Sequence, residues 1–201
     1  MIENENTDNS SLSSLNSTEK KDKTTYEKIM EEKECHYSIL KVISEILTAT
    51  CEQSKFGNEE KILLIKSFMT KKRPNISIYE FLKRLYKYEK ASESILILVL
   101  IYIDRLCRNR KIGLNYFNIY KLILASFVTT IKFNSDEYYS LDIYAKLGGI
   151  SQKEMVTLEY EFISLLNFNL FVDQELFDKY EKYLRNAELD EDENIDYDSD
   201  G

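Results

Sequence analysis

The sequence predicts an all-α fold, and three observations carry that prediction. Glycine (5) and proline (1) are scarce over 201 residues, which argues against the many tight turns of a sandwich or barrel. Apolar residues recur at helical spacing in one segment after another. The links between those segments are short and polar. The hydrophobic content of 43% is enough for a core, and the length allows one domain plus tails.

The elements follow in order. Residues 1–24 are rich in Ser, Asn, Thr and Lys and have little to bury, so a disordered tail is expected. From Tyr26 a helix is expected, with Ile39, Leu40, Val42, Ile43, Ile46 and Leu47 on one apolar face. Ser54–Asn58 reads as a break and Glu59–Met69 as a short helix, giving flanking helices over about 26–69. Pro74, in the turn Lys71-Lys72-Arg73-Pro74-Asn75, ends what precedes it. Ile78, Phe81, Leu82 and Leu85 then mark an amphipathic helix near 77–89. Ser92 is a candidate cap for a helix near 92–108. That helix contains the unbroken apolar run Ile95–Ile103, so it should lie central and buried. A run this short also fits a strand, but the scarcity of turn residues weighs against it.

Further helices are expected near 115–132, 137–147 and 151–167. Gly148-Gly149 stops the second of these. Ser151-Gln152-Lys153-Glu154 is a capping box that opens the third, with Ile150 and Met155 placed as a hydrophobic staple. A last flanking helix is expected over about 174–186. The expected organisation is therefore a helical domain over 25–187 and an acidic disordered tail over 188–201.

Composition narrows the function. From Glu188 onward there are eight acids and no Lys or Arg; the other 27 acids (35 less eight) balance 27 bases. A neutral body with an acidic tail is a poor binder of nucleic acid, because that affinity rests on cations. The longest apolar run is about half the roughly 20 residues that span a bilayer, and the first twenty residues hold no signal-peptide core. No membrane partner is expected. Three widely spaced cysteines, Cys35, Cys51 and Cys107, read as reduced thiols of a cytoplasmic or nuclear protein. The one histidine, His36, has no acid or thiol at a catalytic spacing. Neither a zinc spacing nor a phosphate-cradling loop is present. No enzyme activity, cofactor, metal or small-molecule substrate is expected. The fifteen tyrosines lie beside Ile and Leu at helical spacing and read as core and rim. Ser199 stands among acids as a weak candidate for phosphorylation.

Three charges interrupt apolar helices: Asp104 after ILILVLIYI, Lys132 after LILASFVTTI, and Glu159 within MVTLEYEFISLL. A buried charge must be paired or hydrogen-bonded, and the plainest reading is that each points to water. A partner-binding role needs Lys132 and Glu159 to meet in space, which the pattern alone does not show.

Four segments together resemble a cyclin box. They are PNISIYEFLKRLYKYEKASESILILVLIYIDRL, KLILASFVTTIKF, DEYYSLDIYAKLGGIS and LEYEFISLLNFNL, with ILKVISEIL upstream. They most resemble the single-box, phosphate-pathway (P/U-type) cyclins, over about residues 38–186. The resemblance implies a five-helix cyclin box with flanking N- and C-terminal helices. It implies a regulatory subunit, in a heterodimer with a cyclin-dependent protein kinase that it activates. The alternative is a cyclin-fold adaptor that binds a protein without activating a kinase.

By position, Lys132 and Glu159 match the lysine and glutamate with which cyclins hydrogen-bond kinase backbone, and Phe133 and Ile163 would line the neighbouring apolar surface. Asp104 matches an aspartate that in many cyclins ties the second box helix to an arginine before the first. Asn75 stands in place of that arginine, so Asn75 or the Ser77 hydroxyl is the expected partner of Asp104. The substrate-docking patch of animal cell-cycle cyclins is replaced here by Pro74, Asn75 and Phe81. Thr130 and Ile131 replace the small residues that relatives often place before the KF pair.

Overall fold

The computed structural model of the chain describes residues 38–53 and 65–195, with side chains described as far as Ala187. All of them lie in one compact unit that begins at Ser38. The expectations for 1–24, Tyr26, Cys35, His36, Ser54–Asn58, most of Glu59–Met69 and Ser199 lie outside the described residues.

Every regular element among the described residues is helical. Helix α1 covers residues 38–53. A single 3-10 turn, Lys66–Phe68, precedes α2 (Ile78–Glu89), α3 (Glu93–Arg110), α4 (Ile119–Asn134), α5 (Leu141–Gly148), α6 (Gln152–Leu165) and α7 (Gln174–Ile195). Helices α2 to α6 agree in number and order with the five box helices that the resemblance implies.

Helix α4 sits at the centre and packs against α2, α3, α5, α6 and the 3-10 turn. Every residue from Leu122 to Ile131 is buried. Two of its hydroxyls bond within the core: Ser126 Oγ donates to the Val99 carbonyl of α3 at 3.1 Å, and Thr130 Oγ1 to the Ser126 carbonyl at 2.8 Å. Thr130 is fully buried there. Helix α3 buries all but Leu98 of its Ile95–Ile103 run, as an all-round apolar helix must. Cys51 and Cys107 are free thiols, each pushed up to about 12 by burial.

Local sequence explains most boundaries. Ser77 caps α2 by accepting from Glu80 N–H at 3.1 Å. Ser151 caps α6 by accepting from Glu154 N–H at 3.2 Å. The Glu154 carboxylate is drawn instead to Lys121, at 2.7 Å. Gly149 ends α5 in the left-handed conformation at φ +68°.

Four boundaries differ from expectation, each for a local reason. Lys121 Nζ takes the carbonyls of Ser67 and Met69, and Thr70 N–H bonds the Phe117 carbonyl; backbone drawn into these bonds cannot extend a helix through Met69. Asn115 and Asn118 build a side-chain turn, with Asn118 Oδ1 accepting from Asn115 N–H and Asn115 Oδ1 from Phe117 N–H. Helix α4 consequently starts at Ile119. Helix α5 starts at Leu141, because Tyr139 N–H is held by the Tyr144 hydroxyl. Helix α7 continues past Asn186 to Ile195, since its acidic end holds neither glycine nor proline to stop it.

Candidate functional site

The last turn of α4 meets α6 at one edge of the molecule. Apolar residues carry α4 to Ile131, and Lys132 is the first charge after Lys121. A cation in a helix's last turn is favoured by the carbonyls exposed there. Lys132 Nζ lies 2.6 Å from Glu159 Oε1 of α6. The two side chains are 32% and 13% exposed, so the pair is half-sheltered but reachable from solvent. One ammonium carries three N–H donors and one carboxylate several acceptor sites, so a single shared contact leaves capacity for a partner's backbone.

Around this pair the surface is apolar. Phe133 is 54% exposed and Ile163 is half-buried. The structure joins Lys132 to Glu159; Phe133 follows Lys132 in the chain, and Ile163 stands one helical turn after Glu159 on α6. Tyr138 joins them, its ring centroid 5.8 Å from Lys132 Nζ. Helix α6 buries Met155, Leu158 and Phe162, which turns Val156, Tyr160 and Ile163 outward as one stripe at helical spacing. Tyr160 and Phe168 are each 67% exposed, and Phe168 N–H bonds the Ile163 carbonyl at 3.0 Å, continuing the stripe. An exposed apolar patch of this kind is informative where single exposed residues are not. Tyr138, Val156, Tyr160 and Phe168 were not picked out from sequence. The capping box fixes the register of α6, and reading its outward face from that register would have found Val156 and Tyr160.

Asp104 takes other partners than Asn75 or Ser77. Its carboxylate accepts from Arg108 Nε at 3.0 Å and from the Tyr180 hydroxyl of α7. Ser77 is occupied as the α2 cap, and Asn75 is exposed. Asn75 carries no charge to draw the carboxylate, whereas Arg108 lies one helical turn away on α3. The entry to α2 is held from the start of α4 and the turn before it instead: the Tyr120 hydroxyl donates to the Ile76 carbonyl, and the Arg73 guanidinium lies 3.6 Å from the ring centroid of Tyr116 in that turn.

The rest of YIDR acts on the chain after α6. The Tyr102 hydroxyl donates to the Leu170 carbonyl at 2.6 Å, and Arg105 donates to the carbonyls of Asn169 (2.7 Å) and Phe171 (3.1 Å). Arg110 adds bonds to the Leu165 carbonyl and Asn167 Oδ1. These five donors hold a turn in which Asn167 and Phe168 have φ of +54° and +58°, a region costly for residues other than glycine.

Comparison with known proteins settles the family. The model of the family described as Cyclin matches residues 3–170. The chain belongs to the cyclin family. This cyclin is similar to Cyclin-U4-1 of Arabidopsis thaliana, with 40% identity over 114 residues, 56% of each chain. It is similar to PHO85 cyclin-like protein psl1 of Schizosaccharomyces pombe, with 38% identity over 56% of this chain and 47% of that one. PHO85 cyclin-7 of Saccharomyces cerevisiae shares 31% identity over 68% and 53% of the two chains. The cyclin spans about half the length of the curated relatives it matches. Among its described residues, no helix is long and apolar enough to cross a membrane.

Proposed function

We propose that this cyclin is the regulatory subunit of a cyclin-dependent protein kinase, and that it binds the kinase through Lys132, Glu159, Phe133 and Ile163. The observation that carries the reading is the Lys132–Glu159 pair, 2.6 Å across and set in an exposed apolar rim. Such a surface offers both hydrogen-bonding charge and apolar contact to a helix and its neighbouring backbone. Two relatives bear the name PHO85 cyclin or PHO85 cyclin-like, which fits a kinase partner.

The cyclin performs no chemistry itself. It binds the active arrangement of the kinase better than the inactive one and so shifts the population toward it. In that arrangement the kinase's own lysine–glutamate pair and metal-holding aspartate are in register. The complex forms in the cytoplasm or nucleus.

Co-expression of the chain with each cyclin-dependent kinase of its source organism tests this. Pull-down on the cyclin should recover a kinase whose activity exceeds that of the kinase alone. Recovery of none by folded protein overturns the reading, and recovery without activation identifies an adaptor.

A further inference from the structure

The segment between α4 and α5, residues 135–140, brings Tyr138 beside Lys132. Its sequence, SDEYYS, holds no glycine or proline that would fix a turn, and its backbone is not helical. A cross-link between α2 and α5 supplies the anchor. Tyr144 of α5 is fully buried. Its hydroxyl donates to Glu89 Oε2 at 2.9 Å, 55 positions earlier in the chain, and accepts from Tyr139 N–H at 3.3 Å.

The Tyr139 ring meets Tyr88 and Tyr144 edge-on, with centroids 5.1 and 6.5 Å away. Glu89 is the last residue of α2 and half-buried. Burial raises its carboxyl above the ordinary range, while the Tyr144 bond acts in the opposite direction. A carboxylate withdrawn from water is costly unless hydrogen-bonded, so the phenol makes the burial tolerable and the two helices hold each other.

We propose that Glu89 and Tyr144 are positioning residues for the partner surface: their hydrogen bond fixes segment 135–140, and with it Tyr138, beside Lys132. The proposal rests on the reading of the Lys132–Glu159 surface as the kinase contact. Glu89 and Tyr144 act on that contact only through the segment they hold.

The test uses the full chain as wild type, Tyr144→Phe, Glu89→Ala and Glu89→Gln. Amide hydrogen exchange over 135–140 is measured on the free protein. Affinity is measured for the kinase that the wild-type chain recovers on co-expression. Tyr144→Phe and Glu89→Ala should each speed exchange in the segment and weaken the kinase complex by about tenfold, as loss of a charged hydrogen bond does. Exchange in α6 should stay unchanged. Glu89→Gln keeps an acceptor oxygen and should return both readouts toward wild type, which general loss of stability would not do. Unchanged segment exchange in Tyr144→Phe overturns the anchor. Faster exchange with undiminished affinity overturns the positioning role. If wild type recovers no kinase, the kinase reading falls and the positioning role with it, while segment exchange decides separately whether the anchor exists.

Discussion

Lys132 and Glu159 lie 27 positions apart, and neither alone distinguishes itself from a charge that points to water. Their distance gives them a shared role: each shelters the other and both stay reachable. Under the kinase reading, Lys132→Ala or Glu159→Ala should weaken the complex by roughly 2 kcal/mol or more, because each also strands a half-buried partner charge. Titration calorimetry on variants that keep the wild-type circular dichroism checks this; wild-type affinity in both would remove the site assignment. These residues were legible only through resemblance to cyclins, since periodicity reports faces and not which faces meet. Asp104 shows the opposite failure. The resemblance pointed to Asn75 and Ser77, but Tyr180, 76 positions away, takes the carboxylate. Burial and the Asp104 bond push the Tyr180 phenol up to about 12 from 10.0. Between those values the unfolded chain has released this proton and the folded chain has not, so stability falls as pH rises through the window. Urea unfolding at intervals from pH 9 to 12 should show a shallower fall for Tyr180→Phe than for wild type. Equal slopes would show that Tyr180 is not linked to folding.

At the level of elements, the sequence signals worked where one residue dictates geometry. Ser151 caps α6 as its spacing predicts, whereas Ser92 stands at the start of α3 with no side-chain capping bond and meets the Ser94 hydroxyl instead. The signals fell short where a distant group captures the local backbone, as Lys121 does at Met69 and Tyr144 does at Tyr139. Propensity and capping rules see only neighbours in the chain. The Gly148-Gly149 pair shows how much one helix end can hold. The sequence reads it as a stop, and Gly149 at φ +68° with open space around a Cβ is that stop. Gly148 has a second duty. A Cβ there would stand 2.2 Å from Leu124 Cδ2, and Leu124 is itself buried in α4. A side chain at 148 would have to displace the Leu124 methyl from its place in the core. Gly148→Ala should cost about 1–3 kcal/mol through overpacking, and Gly149→Ala about 1 kcal/mol through its backbone angle. The pair is separated by asparagine, which tolerates the left-handed conformation. Denaturation should find Gly149→Asn milder than Gly149→Ala, and Gly148→Asn worse than Gly148→Ala. The reverse order would mean that Leu124 yields.

Over the whole molecule, the order of helices was readable because each carries its own apolar phase, and five of them in sequence match a cyclin box. What could not be read is how the last helix is fastened. Helix α7 sits on α3 through contacts between residues 76 and 92 positions apart in the chain. The Tyr180 hydroxyl reaches Asp104, Arg185 bonds Glu93 at 2.7 Å, and Leu184 is completely buried. Arg105 and Tyr102, three positions apart on the same helix, hold the connection between α6 and α7. The acidic composition after Glu188 suggested a tail, yet the helix that carries it is fixed upstream by one core leucine and two cross-links. A helix attached in this way belongs to the cooperative unit of the box rather than hanging from it. Urea unfolding should then give one midpoint by far-ultraviolet circular dichroism and by tyrosine fluorescence, the mark of a two-state domain. Leu184→Ala removes a fully buried side chain from the α3–α7 contact and should lower stability by roughly 2–5 kcal/mol. Both probes should shift together, because the cavity weakens the whole unit. An early, partial loss of helix signal in the variant, with the fluorescence midpoint unmoved, would show instead that α7 unfolds by itself and that the box stands without it.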